Sequence, residues 1–266
     1  MDILTHALSG VAVATCTSAF LPKSYGKKIK LLTVGLIVGA FPDVDAISMW
    51  SKFDSTFGSC FNLTYTGKVI YGSKLWYSHH AFFHSLAGSI LFAVLFFILL
   101  YVCHRFLLKK QTPIIDYFKA NIIFPVTFIL AYWAHLAGDL PTPSSVWGGI
   151  SFLWPTKDYI GGFGKIWWWN NYDIFLIILG VIIINLLLHS FMNGKKLVFI
   201  TVPVFLLGLV LIITQINNRQ FDYAYTSHTN KYAQMELNSK KEQKRILGKH
   251  VYKYTEWFDR KMKFHF

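Results

Sequence analysis

Charged residues are scarce in this sequence, and acidic residues are the scarcest. Only 15% of the 266 residues are charged, whereas a soluble domain carries about 25%. Glutamate is absent from the first 235 residues, because all three glutamates lie near the C-terminus at Glu236, Glu242 and Glu256. This composition argues against an ordinary soluble enzyme. It also makes each of the nine aspartates in that stretch a candidate for a specific role.

Cysteine is scarce as well. The three cysteines, Cys16, Cys60 and Cys103, lie far apart, and Cys16 and Cys103 lie inside or at the end of apolar runs. This spacing supports neither a disulfide framework nor a metal site built from paired cysteines.

Basic residues outnumber acidic residues by 26 to 13, which gives a net charge of +13. Such a charge suits either an anionic lipid surface or nucleic acid. Because 54% of the residues are hydrophobic, we expect membrane lipid to be the partner and expect no specific nucleic acid.

Six apolar stretches come close to the ~20 residues that cross a bilayer. The second is the weakest, since Pro42, Asp43 and Asp45 interrupt it. The sequence therefore predicts an all-α, polytopic membrane bundle of about six transmembrane helices in residues 1–216, followed by a basic extramembrane tail in residues 217–266. The predicted spans are 3–21, 31–47, 85–103, 121–138, 173–192 and 197–216.

Alternating crossings place the N-terminus, the longer loops 48–78 and 139–172 and the tail on one side of the membrane, called side A. The short loops on the opposite side carry ten Lys and Arg residues, against five in the two longer loops. The positive-inside rule then makes the short-loop side cytoplasmic, although the basic tail opposes this assignment. We expect a multi-pass protein of the cell inner membrane with side A extracytoplasmic.

Four short clusters of His and Asp break the apolar pattern, each at the side A end of a predicted span. Ionisable side chains at membrane depth are unfavourable and usually serve a function. A single His or Asp at a helix end is more often a cap or an interfacial anchor. Four such ends on one side, with lysine at the other ends, favour one shared pocket. The clusters are Asp2–His6, Pro42–Asp45, His79–Ser85 and His135–Asp139.

Imidazole and carboxylate groups without thiolate suit a catalytic zinc, manganese or iron site. The clusters contain three i,i+4 pairs, each sharing one face of a helix: Asp2 with His6, His80 with His84, and His135 with Asp139. The potential ligands exceed what one zinc needs, so we expect one or two divalent ions, zinc or manganese first. These ligands are His6, Asp43, Asp45, His79, His84, His135 and Asp139.

The same residues resemble the pattern of the YdjM-like family of membrane-bound proteins, which are regarded as metal-dependent hydrolases. The family pattern reads D-x-x-T-H-x-x-x-G, P-D-x-D, H-R-G-x-T-H-S-L and H-x-x-x-D-x-x-T in chain order. The resemblance covers roughly the first 145 residues. Each motif alone is weak, but four in order at compatible spacing form a strong signal. Here the four motifs begin at Asp2, Pro42, His79 and His135.

This resemblance implies a multi-spanning helical protein whose metal is held by the seven ligands named above. It makes Asp2 a further ligand or the residue that orients His6. Two positions depart from the family pattern, because His80 stands in place of arginine and Phe83 in place of threonine. A positive group that could bind a substrate anion is therefore weakened or lost, and His80 could supply a ligand or a proton instead.

Together these residues predict a hydrolase that attacks an ester or phosphoester with metal-activated water. Asp45 or Asp2 would act as the general base, and His80 would supply a proton. A site at headgroup depth beside a tryptophan-rich loop suggests a lipid or lipid-linked substrate such as a phospholipid. The run Trp167–Trp169 is itself more typical of an aromatic belt at the membrane interface.

Two other functions fit parts of the sequence. Clusters of His and Asp also mark the pathway of a divalent-cation or proton transporter. A transporter usually holds its ligands near the midplane, whereas these lie at helix ends. A non-catalytic, metal-binding regulatory protein could instead dock a partner through the tail. The mixed charges of residues 240–245 are more typical of a solvated or membrane-surface helix.

Overall fold

The computed structural model describes residues 1–22, 24–226 and 231–262, and its chain is 70% helical. Within these residues there are nine α-helices, two isolated β-bridges and no strand. The all-α prediction is therefore confirmed. The helices are α1 (Ile3–Thr17), α2 (Tyr25–Ala40), α3 (Gly67–Tyr71), α4 (Leu86–Val102), α5 (Ile114–Asn121), α6 (Ile123–Asp139), α7 (Tyr172–Phe191), α8 (Gly194–Asn217) and α9 (Tyr232–Met262).

Five helical segments of the described chain are long and apolar enough to cross a membrane. A sixth span forms if α5 and α6, which meet at a bend of 56°, count as one broken crossing. This confirms the prediction of a multi-pass membrane protein with about six spans. The second span is longer than predicted, because α2 continues as a 3-10 helix over Phe41–Met49 through the interrupting Pro42.

Helices α1 and α2 pack unusually close together through glycine. A Cβ on Gly10 would lie 2.0 Å from the carbonyl oxygen of Gly35, and one on Gly39 would lie 2.4 Å from the carbonyl oxygen of His6. Small residues four apart let membrane helices approach in this way, because no side chain separates the backbones. The contact brings the end of α2 against the first turn of α1, where His6 lies.

Helix α1 is the centre of the bundle. One of its faces packs with α2 and α6 around a core that includes Val13, Val38, Tyr132 and Leu136, and α4 joins this core through its contact with α6. The opposite face packs with α7 and α8 through Ala12. Because every other spanning helix but one contacts α1 directly, the side chains at its N-terminal end meet the ends of its neighbours.

The C-terminal tail forms a helix over residues 240–245, as predicted, and Lys241, Lys244 and Arg245 are exposed on it, but its other face is buried against the protein. Glu242 is 1% exposed and Gln243 is fully buried. The amide of Gln243 donates to Asp173 at the start of α7 (3.1 Å), and Asp173 forms an ion pair with Arg219 (2.9 Å). Tyr252 packs on Tyr172 farther along α9. Helix α9 is therefore fastened to the start of α7 by buried polar contacts.

Candidate metal centre

The four His and Asp clusters meet at one end of the bundle, as their common side predicted. They come from the first turn of α1, the 3-10 extension of α2, the segment before α4 and the last turn of α6. Three overlapping groups of their side chains could each hold a metal ion. The groups are His79 with His80 and His84, His6 with His135 and Asp139, and Asp43 with His84 and His135.

The centre of the assembly consists of four atoms: Nε2 of His84, Nε2 of His135, Oδ1 of Asp43 and Oδ2 of Asp139. The two Nε2 atoms lie 3.3 Å apart. Each of them lies between 3.1 and 3.6 Å from each of the two carboxylate oxygens. Zinc–ligand bonds of about 2.05 Å in a tetrahedron would separate the ligand atoms by about 3.3 Å. The observed nitrogen–nitrogen and nitrogen–oxygen separations are therefore close to those between ligands of one zinc ion.

The other ring nitrogen of each central histidine faces an oxygen atom, and only that of His135 makes a hydrogen bond. Nδ1 of His135 donates to the carbonyl oxygen of Gly39 (2.7 Å). Nδ1 of His84 lies 3.2 Å from Oδ2 of Asp45. Carboxylate or carbonyl partners of this kind fix the tautomer of a metal-binding histidine and direct its Nε2 lone pair toward the ion. Both rings are fully buried, so their orientation is set by the protein.

His6 lies beside this centre and contacts it through Asp139. Nε2 of His6 donates to Oδ1 of Asp139 (2.9 Å), and its ring stacks on His135 with the centroids 3.8 Å apart. The amino group of Met1 donates to the same oxygen (2.9 Å). Oδ2 of Asp139 is left facing the two Nε2 atoms. His6 thus orients Asp139 through a hydrogen bond and packs against the ring of His135.

Asp45 has two histidine partners. Its Oδ1 accepts from Nδ1 of His79 (2.6 Å), and its Oδ2 is the oxygen beside His84. Asp45 is 8% exposed, so it lies behind the two rings. The general-base role of Asp45 stays a prediction, and both of its oxygens face imidazole rings in the structure. Its geometry is that of a group that orients histidines.

The segment that carries His80 is not helical. His80 has a left-handed backbone with φ of 64°, and only Phe82–His84 forms a short 3-10 turn before α4 begins. The i,i+4 helical pairing predicted for His80 and His84 is therefore wrong, although their ring centroids still lie 4.8 Å apart. Nδ1 of His80 donates to the carbonyl oxygen of Gly149 (3.0 Å). Burial holds the pKa of His80 well below its ordinary value, so the ring is neutral at pH 7.

Asp2 caps α1 and does not orient His6. Its two carboxylate oxygens accept hydrogen bonds from the backbone amide and the hydroxyl of Thr5 (2.9 and 2.7 Å). Burial raises the pKa of Asp2 above its ordinary value, and the hydrogen bonds from Thr5 oppose that effect. The partner of His6 is Asp139, which the sequence pattern did not pair with it.

A polar cavity of about 600 Å³ opens onto the centre. The wall nearest the four central atoms includes Asp43, His79, His80 and Asp139. Its remaining wall includes aromatic residues that the sequence patterns had not joined to the site. They are Tyr71, Trp147, Trp168, Trp169, Tyr225 and Tyr232.

The membrane belt predicted for Trp167–Trp169 is wrong. Trp167 is fully buried and packs edge-on against Tyr232, with the centroids 4.8 Å apart. Trp168 and Trp169 line the cavity. The local sequence does not distinguish a tryptophan at the membrane interface from one that lines a cavity. The two differ only in what the ring contacts in the folded protein.

The charges of the centre suit a cation. Asp43, Asp45 and Asp139 lie close together in the protein interior, and buried carboxylates require compensating positive charge. In the part of the chain that the structure describes, their ion-pair partners are histidines and the Met1 amino group. Oδ2 of Asp139 is buried without a hydrogen-bond partner. The donor set, its spacing and this unpartnered oxygen all fit a divalent metal ion.

A family model described as YdjM inner membrane protein matches residues 1–221. No curated protein and no solved structure matches the chain.

Proposed function

The chain belongs to the YdjM inner membrane protein family, and we propose that it is a membrane-embedded, metal-dependent hydrolase of an ester or phosphoester. The observation that carries the proposal is a pair of imidazole nitrogens 3.3 Å apart, each within 3.1–3.6 Å of two carboxylate oxygens, beside a polar cavity. Mixed histidine and carboxylate sites without cysteine are typical of catalytic zinc.

We propose a single divalent cation, zinc or manganese, held by His84, His135, Asp43 and Asp139. Since Nδ1 of His84 faces Asp45, only its Nε2 is free for a ligand role, so His84 would not also serve a second ion. When bound, the cation would polarise the substrate oxygen and lower the pKa of a water molecule. Asp43 is the most accessible of the four, with 17% of its side chain exposed, and marks where the centre meets the cavity.

His79 is the group best placed to move a proton. It lines the cavity, and its Nδ1 donates to Oδ1 of Asp45 at 2.6 Å. A carboxylate behind an imidazole fixes the tautomer and stabilises the imidazolium that forms when the ring accepts a proton. In our proposal Nε2 of His79 accepts the proton of the attacking water and returns it to the leaving group. The neutral ring of His80 would hydrogen-bond the substrate through its Nε2.

The transporter alternative receives less support. Below the centre, α1 has only glycine, valine and alanine from Gly10 to Ala14. The next buried polar group on it is Thr15, which accepts from Asn185 on α7 (3.2 Å). An ion pathway would need polar groups along this stretch. We therefore favour chemistry at one face of the membrane, and we propose that this face is extracytoplasmic because the short loops of the opposite side carry more Lys and Arg.

The proposal is tested by hydrolysis assays on the detergent-purified full chain. The probes are 4-nitrophenyl phosphate, 4-nitrophenyl butyrate and mixed phosphatidylglycerol vesicles, each with and without EDTA and with zinc or manganese added back. We expect cleavage of at least one probe that EDTA abolishes and the metal restores. His84→Ala and Asp139→Ala should abolish this activity. His104→Ala should retain it, because His104 lies at the other end of α4 and contacts Thr112. A metal-loaded protein that cleaves none of the probes would contradict the proposal.

A further inference from the structure

A second, apolar cavity lies beside the polar one. It has a volume of about 220 Å³ and runs between α6 and α8, with α1 and α7 behind it. Its floor is buried, since Ile174 is 1% exposed and Ile178 4% exposed. Its rim is open, since Leu209 is 40% and Ile213 57% exposed on α8. Both rim residues lie on a membrane-spanning helix, so the opening faces the hydrocarbon of the bilayer rather than water.

The two cavities are separated by a thin partition. The side chain of Met1 lines both of them. At the end of α6, Gly138 lines the apolar cavity and the next residue, Asp139, lines the polar cavity. A Cβ on Gly138 would lie 2.8 Å from Cε of Met1 and 3.0 Å from Cε1 of His6. The absence of a side chain at Gly138 therefore keeps the partition thin.

The length of the apolar cavity corresponds to one leaflet. Along α8 its lining runs from Ile216, near the metal centre, to Phe205. Eleven residues at 1.5 Å per residue make about 16 Å. The hydrocarbon core of a bilayer is about 30 Å thick, so one leaflet is about 15 Å. The cavity is therefore about as long as one leaflet is thick.

We infer that this cavity, called the α6–α8 groove, binds an acyl chain of a bilayer phospholipid whose polar headgroup enters the polar cavity. The inference rests on the proposed function and names its substrate class as an amphiphile that arrives from within the bilayer. An apolar cavity of about 150 Å³ already admits benzene, so the groove has room for a segment of hydrocarbon chain. A soluble ester would not need the α6–α8 groove, because such a substrate has no long acyl chain to place in it.

The test is photo-crosslinking in phosphatidylethanolamine and phosphatidylglycerol vesicles that contain a phosphatidylglycerol with a diazirine on one acyl chain. Labelled peptides are identified by mass spectrometry. We expect α6 and α8 residues of the groove to be labelled several-fold more than Val94 and Leu95, which are half exposed on α4.

Groove-filling variants on opposite walls provide the controls. Ala137→Phe and Leu209→Trp should each reduce groove labelling several-fold and leave α4 labelling unchanged. Val94→Phe should change neither. Two walls are tested so that one misfolded variant does not decide the result.

The outcome is separable from the hydrolase proposal. His84→Ala should retain the labelling, because the groove does not need a working centre. Equal labelling of the groove and α4 in the wild-type protein would overturn the inference. So would a groove without label in a protein that is dimeric until Ala137→Phe dissociates it, because a second copy would then cover the groove.

Discussion

In each central histidine, Nδ1 faces an oxygen atom of the surrounding protein and Nε2 faces the other candidate ligand atoms. Nδ1 of His135 donates to a backbone carbonyl and Nδ1 of His84 lies 3.2 Å from a carboxylate oxygen, while the two Nε2 atoms lie 3.3 Å apart beside two aspartate oxygens. The sequence could predict the residue types, because His and Asp at membrane depth are rare and unfavourable without a role. It could not predict that Gly39 supplies a carbonyl, since every residue has one and only packing selects it. For the same reason, Asp45 could not be distinguished from Asp43 as the carboxylate behind the rings.

The first prediction concerns His79. His79→Gln should lower the hydrolytic rate by about 10²–10⁴-fold, the usual contribution of a positioned acid–base group. The metal content should stay at the wild-type level, because His79 lies outside the four central ligand atoms. Rate and metal content are measured on the same preparation, with His104→Gln as the control. Loss of the metal in His79→Gln would show that His79 is a ligand and would contradict its proton-transfer role.

At the scale of helices, the centre depends on how closely α1, α2 and α6 approach. Hydropathy predicts the spans because their apolar length must match the bilayer. It does not predict the segment His79–His84, whose irregular backbone is set by contacts with Gly149 and Asp45 rather than by periodicity. The burial of Gln243 on α9 could not be predicted from the sequence either, because its partner Asp173 lies 70 residues away in the chain.

The second prediction concerns the glycine contact between α1 and α2. Gly39→Ala should destabilise the protein by about 1–3 kcal/mol, because its Cβ would collide with the backbone of α1. The midpoint of thermal unfolding in detergent should fall by several degrees, and metal binding should weaken as Gly39 and His135 separate. Gly180→Ala is the matched control, since a Cβ there meets no atom within 4 Å. Equal midpoints of thermal unfolding for the two variants would contradict this prediction.

The third prediction concerns the attachment of α9. Arg219→Leu removes the partner of Asp173, and breaking a buried ion pair costs about 3–5 kcal/mol. Both side chains are less than 5% exposed. Trypsin should therefore cleave the variant faster around Lys244 and Lys249. Glu236→Gln, which breaks the exposed pair with Lys240, should leave the cleavage rate unchanged. Equal rates in all three proteins would mean that α9 is held by other contacts.

At the scale of the whole molecule, the tail and the aromatic loops enclose the cavity. Tyr225 and Tyr232, on either side of residues 227–230, line its wall together with Trp147 and Trp168. The candidate metal centre thus lies at a cavity whose wall includes residues from the C-terminal part of the chain. A lipid headgroup entering it would meet aromatic rings before it met the carboxylates.

The fourth prediction concerns orientation. Cys60 is exposed in the loop between α2 and α4, and Cys103 lies at the opposite end of α4. If the metal face is extracytoplasmic, a membrane-impermeant maleimide should label Cys60 in intact spheroplasts. Cys103 should react only after the membrane is permeabilised. A Cys60→Ser variant that shows no labelling before permeabilisation verifies the assignment. Labelling of Cys103 first would reverse the orientation.

Metal analysis of the purified full chain tests the central claim most directly. The protein is prepared under metal-replete conditions and measured by inductively coupled plasma mass spectrometry, beside His84→Ala, Asp139→Ala and the control His104→Ala. We expect one divalent transition metal per chain in the wild type and the control, and loss of that metal in both central variants at unchanged folding. A folded wild-type protein without metal, or central variants that keep it, would contradict the account.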